Sequence, residues 1–385
     1  MPLDNPGKRQ ESRRDFLKKS ALAAAGVEAL ALGGGLAMPT PAVAAPAKPG
    51  AGKAPWQILS AYYFRGHMYT SVPSAVRDDM AWMAQQGTDA VCIGILEQDL
   101  DAAIENVDRI CTEANRVGMK VFAVPSRWGN ILAGSLKVPS TFTCKNRNSW
   151  ILDSKGNPKN TGFGMASSVH YPEVVDFFKN SVQKILTQWP IDGIIWDELK
   201  TLNTEDLSPN AVARKPPGSD ATWYTDAVAD FFDDVSAHAK SIKPDTAVSL
   251  FLYGDDTVKN PYNVERCARI QNIDYFGCDG RPWRMSDDLG PNGDGKNPYS
   301  KVLLPNAQEF IDKAHQNGKG GLVLIENFSF QPPEPYYIDL MKRTLPEVFN
   351  LRAEHVMYYY YGRSMTDPDA VMNVTAKAIK ATRTG

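Results

Sequence analysis

From residue 56 onward, short apolar runs rich in β-branched and aromatic residues alternate with longer stretches whose apolar positions recur at helical spacing. The runs are Gln57 to Phe64, Ala90 to Leu96, Lys120 to Pro125, Gly193 to Asp197, Ala247 to Tyr253, Ile273 to Cys278, Gly321 to Glu326 and His355 to Tyr361, eight in all. The helical stretches are Val72 to Gln86, Leu100 to Val117, Tyr171 to Gln188, Ala221 to Ile242, Val264 to Arg269, Ala307 to Gln316, Tyr336 to Leu351 and Asp367 to Thr382. Gly87, Gly118 and Gly318 follow three of them, at the position where a left-handed helix end favours glycine. Strands apolar on both faces and separated by helices predict a parallel sheet. Eight such units close most economically into a (β/α)8 TIM barrel. The competing arrangement is an open doubly wound sheet. It expects a glycine-rich turn after the first strand, whereas Tyr62-Tyr63-Phe64-Arg65-Gly66-His67-Met68-Tyr69 is unlike a dinucleotide fingerprint.

The first 44 residues depart from this pattern. Ser12-Arg13-Arg14-Asp15-Phe16-Leu17-Lys18-Lys19 precedes a small-residue apolar stretch from Ala21 to Met38, followed by Ala42-Val43-Ala44. The segment resembles a twin-arginine export signal with a small-residue cleavage site. Its Ala/Gly-rich stretch, with Glu28 inside, is too weakly apolar for a stable span of about 20 residues, so no membrane anchor is expected after cleavage. The expected organisation is a signal over 1–44, a flexible linker over 45–55 and one barrel domain over 56–385, delivered to the periplasm or the cell exterior.

Composition narrows the chemistry. The 385 residues include 42 Lys+Arg and 44 Asp+Glu, a formal charge of −2, with 43% hydrophobic residues. This is ordinary globular composition without a basic field for phosphates, so nucleic acid is not an expected partner. Of five cysteines, none forms a C-x-x-C pair; Cys92 and Cys278 sit in strand runs and are expected to be buried.

In a barrel of this kind chemistry collects where strands end, so those positions are the candidates. They are Arg65 and His67 after strand one, Arg127 and Trp128 after strand three, and Trp196, Asp197 and Glu198 at strand four. Asp255 follows strand five, Asp279 and Trp283 strand six, Glu326 and Asn327 strand seven, with Tyr359 in the Tyr358 to Tyr361 run of strand eight. Acids and aromatics thus gather at one rim. Glycosidic cleavage uses that combination: one carboxylic acid protonates the leaving oxygen, one carboxylate attacks or activates water, and aromatic faces stack on sugar rings. Trp128, Trp196 and Trp283 are candidate platforms, Arg65, Arg127 and His67 candidate contacts to sugar substituents, and Asp255 either a contact or a helix cap. Adjacent tyrosines in a strand alternate in direction, so at most two rings of 358–361 face the cleft.

The segment Asp192-Gly193-Ile194-Ile195-Trp196-Asp197-Glu198 resembles the strand-four signature of barrel glycoside hydrolases. In the retaining four/seven superfamily, the acid/base Glu closes strand four and the nucleophilic Glu closes strand seven. By that resemblance Glu198 is the acid/base and Glu326 the nucleophile. The superfamily has Asn before the strand-four Glu; this chain has Asp197, whose charge is expected to raise Glu198 by like-charge repulsion, which suits an acid. In barrel families resembling α-galactosidases and α-glucosidases, an Asp on strand four is the nucleophile and an Asp on strand six the acid, places that Asp197 and Asp279 match. The resemblance implies an exported retaining hydrolase of an oligo- or polysaccharide. A glycan-binding barrel without catalysis, or a lyase or transglycosylase on the same scaffold, are the alternatives. No cofactor is expected. The acidic spacing over 287–295 is faintly like a calcium loop but lacks a closing Glu, and the five histidines are dispersed without a zinc motif.

Overall fold

The computed structural model describes residues 57–62, 72–102, 104–134, 136–296, 298–330 and 333–384. The twin-arginine segment, the linker, and Arg65 and His67 lie outside these residues. Eight parallel strands, β1 (Gln57–Ala61), β2 (Ala90–Leu96), β3 (Lys120–Ser126), β4 (Gly193–Asp197), β5 (Ala247–Tyr253), β6 (Tyr275–Gly280), β7 (Gly320–Ile325) and β8 (His355–Tyr359), close on themselves in sequence order. The chain is a (β/α)8 barrel, as the alternation predicts. β6 starts and ends two residues later than its apolar run, because Ile273 and Asp274 belong to the preceding turn. Gly87, Gly118 and Gly318 all adopt positive φ. No described helix is long and apolar enough to cross a membrane.

Period two divides each strand between two cores. Leu59, Cys92, Phe122, Val124, Ile195, Phe251, Leu322, Leu324 and Met357 fill the barrel lumen. The alternate residues, among them Ile58, Val91, Val121, Ile194, Leu250 and Val323, join the larger core under the surrounding helices.

The bottom of the barrel is pinned by an acid placed just before every even-numbered strand. Asp89, Asp192 and Asp274 each accept the amide of the second residue of the preceding odd strand, from Ile58, Val121 and Val248, at 2.8 Å. Glu354 does the same for Gly321 at 2.6 Å. These bonds satisfy strand-start N–H groups that would otherwise be exposed at the sheet end, and they fix the strand register that sets the opposite rim.

At that rim the long excursion between β3 and the helix Pro172–Gln188 is anchored by Glu97, which follows β2 and is 6% exposed. Its carboxylate accepts from the amides of Gly129 (2.9 Å) and Phe142 (2.7 Å) and from the hydroxyls of Ser140 (2.6 Å) and Thr141 (2.7 Å). Four donors offset the cost of burying this charge. The 287–295 loop is satisfied from within: Asp288 accepts from the amides of Gly290 and Tyr299, Asp287 pairs with Arg284 and Asp294 with Lys296. Among the described residues no group of three or more His, Cys, Asp or Glu is arranged to hold a metal.

Candidate active site

Strand alternation aims the last inward residues of β4, β6 and β8, Asp197, Asp279 and Tyr359, into the mouth of the lumen. Glu198 and Glu326 stand one residue beyond β4 and β7. Glu198 has φ 32°, a left-handed conformation that is strained for a side chain with a Cβ. Its backbone and that of Asp197 are clamped by one amide, Ala133 N donating to both carbonyls at 2.9 and 3.0 Å. A short antiparallel pairing of Leu132 with Leu199 then turns Lys200 back toward the carboxylates.

Four carboxyl groups, of Asp197, Glu198, Asp279 and Glu326, meet here, and Lys301 bonds three of them. Lys301 Nζ donates to Glu198 Oε1 at 2.6 Å, Asp279 Oδ2 at 2.5 Å and Glu326 Oε1 at 3.1 Å. Because each pair shares one nitrogen, the nearest oxygens of Glu198 and Asp279 are at most about 5.1 Å apart and those of Glu198 and Glu326 at most about 5.7 Å. Lys200 donates to the other oxygen of Glu198 and to the Tyr253 hydroxyl. The Tyr253 ring lies against both ammonium groups, 4.3 Å from Lys200 Nζ and 4.1 Å from Lys301 Nζ. Arg281 completes the set, its Nε 3.7 Å from Glu326 Oε2 and its Nη1 donating to the Glu326 carbonyl at 2.9 Å.

The charges split in a direction opposite to the sequence expectation. Burial works against the Glu198 charge, but the ammonium groups of Lys301 and Lys200 hold its carboxyl well below the usual range. Burial, together with the adjacent Glu198 charge, instead pushes Asp197 up to about 7. Asp279 rises well above the usual range through burial and the charges of Glu198 and Glu326, which outweigh Lys301, and its Oδ1 is buried without a hydrogen-bond partner. Lys301 stays charged, since its three carboxylates outweigh its burial. Like-charge repulsion therefore does act between Asp197 and Glu198, but it falls on the aspartate, because both lysines reach Glu198.

The elevated Asp197 carries a stability consequence. Between pH 4 and about 7 the folded chain holds a proton there that the unfolded chain has released, so this group costs stability progressively as pH rises through that window. Asp197→Asn is expected to gain thermal stability relative to wild type from pH 4 to pH 8, with little difference at pH 4. A difference in melting temperature that is constant over this range would remove the assignment.

Several rim candidates take other places. Trp196 is next to inward-facing Asp197 and so points outward, its Nε1 donating to Ser236 Oγ at 2.9 Å under the helix Thr222–Ile242; it is no sugar platform. Trp128 is fully buried, donates to Ile95 O at 2.9 Å and packs on Phe177 and Phe178. Trp283 is also fully buried, stacked on Tyr337 with centroids 5.6 Å apart. Both are packing residues because their loops fold back over the barrel. Asn327 is fully buried and bonds both backbone groups of Tyr359, its Oδ1 accepting from the amide at 2.8 Å and its Nδ2 donating to the carbonyl at 3.0 Å, which ties the end of β7 to β8. Asp255 stands at the start of the helix Asp256–Lys259, where its side chain makes no capping hydrogen bond and pairs instead with Lys259 at 2.5 Å. Tyr359 remains at the site: burial, with the charges of Asp197 and Glu326, keeps its hydroxyl protonated, while Tyr358 and Tyr360 point outward to Thr88 and Asp79. Arg127 is 5% exposed, bonded to the carbonyls of Gly134 and Leu136 and stacked 3.9 Å from the Phe163 centroid, with no carboxylate bonded to it among the described residues.

Lys200 and Lys301 escape a strand-end reading because neither is a strand end. Lys200 lies two residues past Glu198. For Lys301 the signal is two glycines at neighbouring strand ends, Gly254 and Gly280, where a further segment has room to lie.

No family model matches the chain, and no curated protein matches it. Solved structures do share its fold. Over 84% of this chain it superposes on the β-galactosidase of the psychrophilic Marinomonas ef1 with TM-score 0.59 and 14% identity, spanning 59% of that chain's length. The catalytic domain of the β-amylase from Paenibacillus polymyxa gives TM-score 0.55 at 8% identity over 86% of this chain and 99% of that one. The endo-1,4-β-mannanase from Rhizomucor miehei gives 0.52 at 14% over 86% and 96%.

Proposed function

We propose that this chain is a glycoside hydrolase working at the mouth of its barrel by a two-carboxylate retaining mechanism. The observation that carries the reading is the meeting of Glu198, Asp279 and Glu326 on one ammonium group at the mouth of the barrel, which puts the two carboxyl groups that glycosidic cleavage needs within reach of one sugar position. Fold neighbours named as a β-galactosidase, a β-amylase and a mannanase support a carbohydrate substrate.

Acid and nucleophile separate where environments drive two carboxyls apart. Glu198 is preorganised and charged, while Asp279 is buried and elevated, so we assign attack on the anomeric carbon to Glu198 and protonation of the leaving oxygen to Asp279. Asp279, then a carboxylate, takes a proton from water as that water releases the sugar from Glu198, and both residues return to their starting states. This layout puts the nucleophile on strand four and the acid on strand six. Glu326, tied to Arg281, and the high-lying Asp197 are left to hold sugar hydroxyls and to tune the pair. The Arg13-Arg14 segment supports export, which N-terminal sequencing of the secreted chain checks by showing Ala45 as the first residue.

The test is a panel of α- and β-aryl glycosides with the anomer of the first-formed sugar followed by proton NMR. Turnover with retention is the expected result. A first product of inverted configuration would rule out the covalent route. Glycan binding without turnover of any glycoside would turn the reading to a binding barrel.

A further inference from the structure

Lys301 does not belong to the strand-end set of the barrel; a separate piece of chain delivers it. After β6 the backbone leaves at Arg281 and returns at Lys301 to Leu303, which pairs with it: Arg281 N donates to Lys301 O at 2.9 Å, Leu303 N donates to Arg281 O at 2.8 Å, and Arg281 bridges Val302 in parallel. The returning segment fits because two strand ends carry no side chain. A Cβ at Gly254 would lie 2.7 Å from Val302 O and 2.9 Å from Asp279 O, and one at Gly280 would lie 3.0 Å from the Val302 carbonyl carbon. The same region of chain holds Arg281, whose guanidinium stacks 4.5 Å from the Tyr299 ring centroid.

A single ammonium bonded to three carboxylates cannot neutralise them all, so its position decides how charge is shared among them. The charged and titratable groups around it are Asp197 and Glu198 from the end of β4, Lys200 after it, Tyr253 from β5, Asp279 and Arg281 from β6, Glu326 after β7 and Tyr359 from β8, with Arg127 after β3. Resting on the hydrolase reading above, we propose that Lys301 is a positioning residue: seated by Gly254 and Gly280, it fixes which carboxyl of the cluster holds the proton and which stays ionised. It acts through the carboxyl oxygens of Glu198 and Asp279 to which it donates, and not on the sugar.

Lys301→Met, Lys301→Arg and Gly254→Ala test this with two readouts. On a glycoside the enzyme turns over, Lys301→Met is expected to move the acidic limb of the kcat/KM profile upward by about one pH unit or more, as loss of a cation at hydrogen-bond distance does to a carboxylate. Lys301→Arg restores the limb toward wild type, and Gly254→Ala moves it in the Lys301→Met direction while leaving every charged residue in the chain. The second readout needs no substrate. A carboxyl held low contributes stability above its unfolded value that is lost as pH falls, so the deficit in melting temperature of Lys301→Met is larger at pH 7 than at pH 3. A deficit equal at both values makes Lys301 a packing residue and overturns the proposal. A pH-dependent deficit in a protein that turns over no glycoside keeps the charge-setting role and sinks the hydrolase reading instead.

Discussion

Asp279→Asn is expected to lower kcat by about 10³-fold or more on glycosides with poor leaving groups, yet on dinitrophenyl glycosides, whose leaving oxygen needs no proton, to keep a fast burst of the first product followed by slow turnover, because the second step has lost its base. Glu198→Ala loses comparable activity on both substrate kinds, and added azide or formate restores part of it by taking the place of the missing nucleophile. The expected contrast follows from the charge split at the mouth, where two lysines keep Glu198 ionised while burial keeps the proton on Asp279. Glu326→Gln is the deciding control. Under this assignment it weakens binding more than chemistry, because Glu326 faces Arg281 and Lys301 as a positioned acceptor. If azide instead rescues Glu326→Gln as the glycosyl azide of inverted configuration, the nucleophile sits on strand seven and Glu198 supplies the proton, the four/seven arrangement that the strand-four segment resembles.

The largest stability effect is expected away from the chemistry, at Glu97. Glu97→Ala leaves the buried amide of Gly129 and hydroxyl of Ser140, and the half-buried amide of Phe142 and hydroxyl of Thr141, without their acceptor. Each unsatisfied buried donor costs about 1–3 kcal/mol, and relaxation recovers part, so a net loss of about 3–5 kcal/mol is expected. Urea unfolding measures it as a lower midpoint with unchanged slope. Because Glu97 anchors the segment that includes Arg127 and Ala133, and Ala133 clamps the carbonyls of Asp197 and Glu198, the same variant is expected to lower kcat. A loss under 1 kcal/mol would mean that the loop holds its shape through its other bonds, Thr143 to Ser167 among them.

Much of the architecture was legible because its signal is local. A strand run ends near where its apolar period ends, so the ends of β2 to β8 fall within two residues of their runs, and with them Asp197, Glu198, Asp279 and Glu326 follow from the pattern of single segments. Trp196 was legible in principle too: a strand's period of two sends neighbours to opposite faces, so an inward Asp197 requires an outward Trp196. Trp128 and Trp283 were not, since a polar flank does not reveal that a loop folds back and buries its ring. Asn327 was hidden for a different reason: its amide imitates a peptide group toward Tyr359, a role that depends on the neighbouring strand.

The chain's local pattern was enough for a barrel of eight βα units and for the rim on which its acids gather, because each unit is written in residues a few positions apart. The tertiary structure alone decided which of those acids is charged. Coulomb energy depends on distance in space, and the ammonium that meets Glu198 comes from 103 residues away, seated where two glycines leave room for it. The like-charge pair Asp197 and Glu198 was visible in the chain, but the direction in which it splits was set by lysines that only folding brings to one side of it.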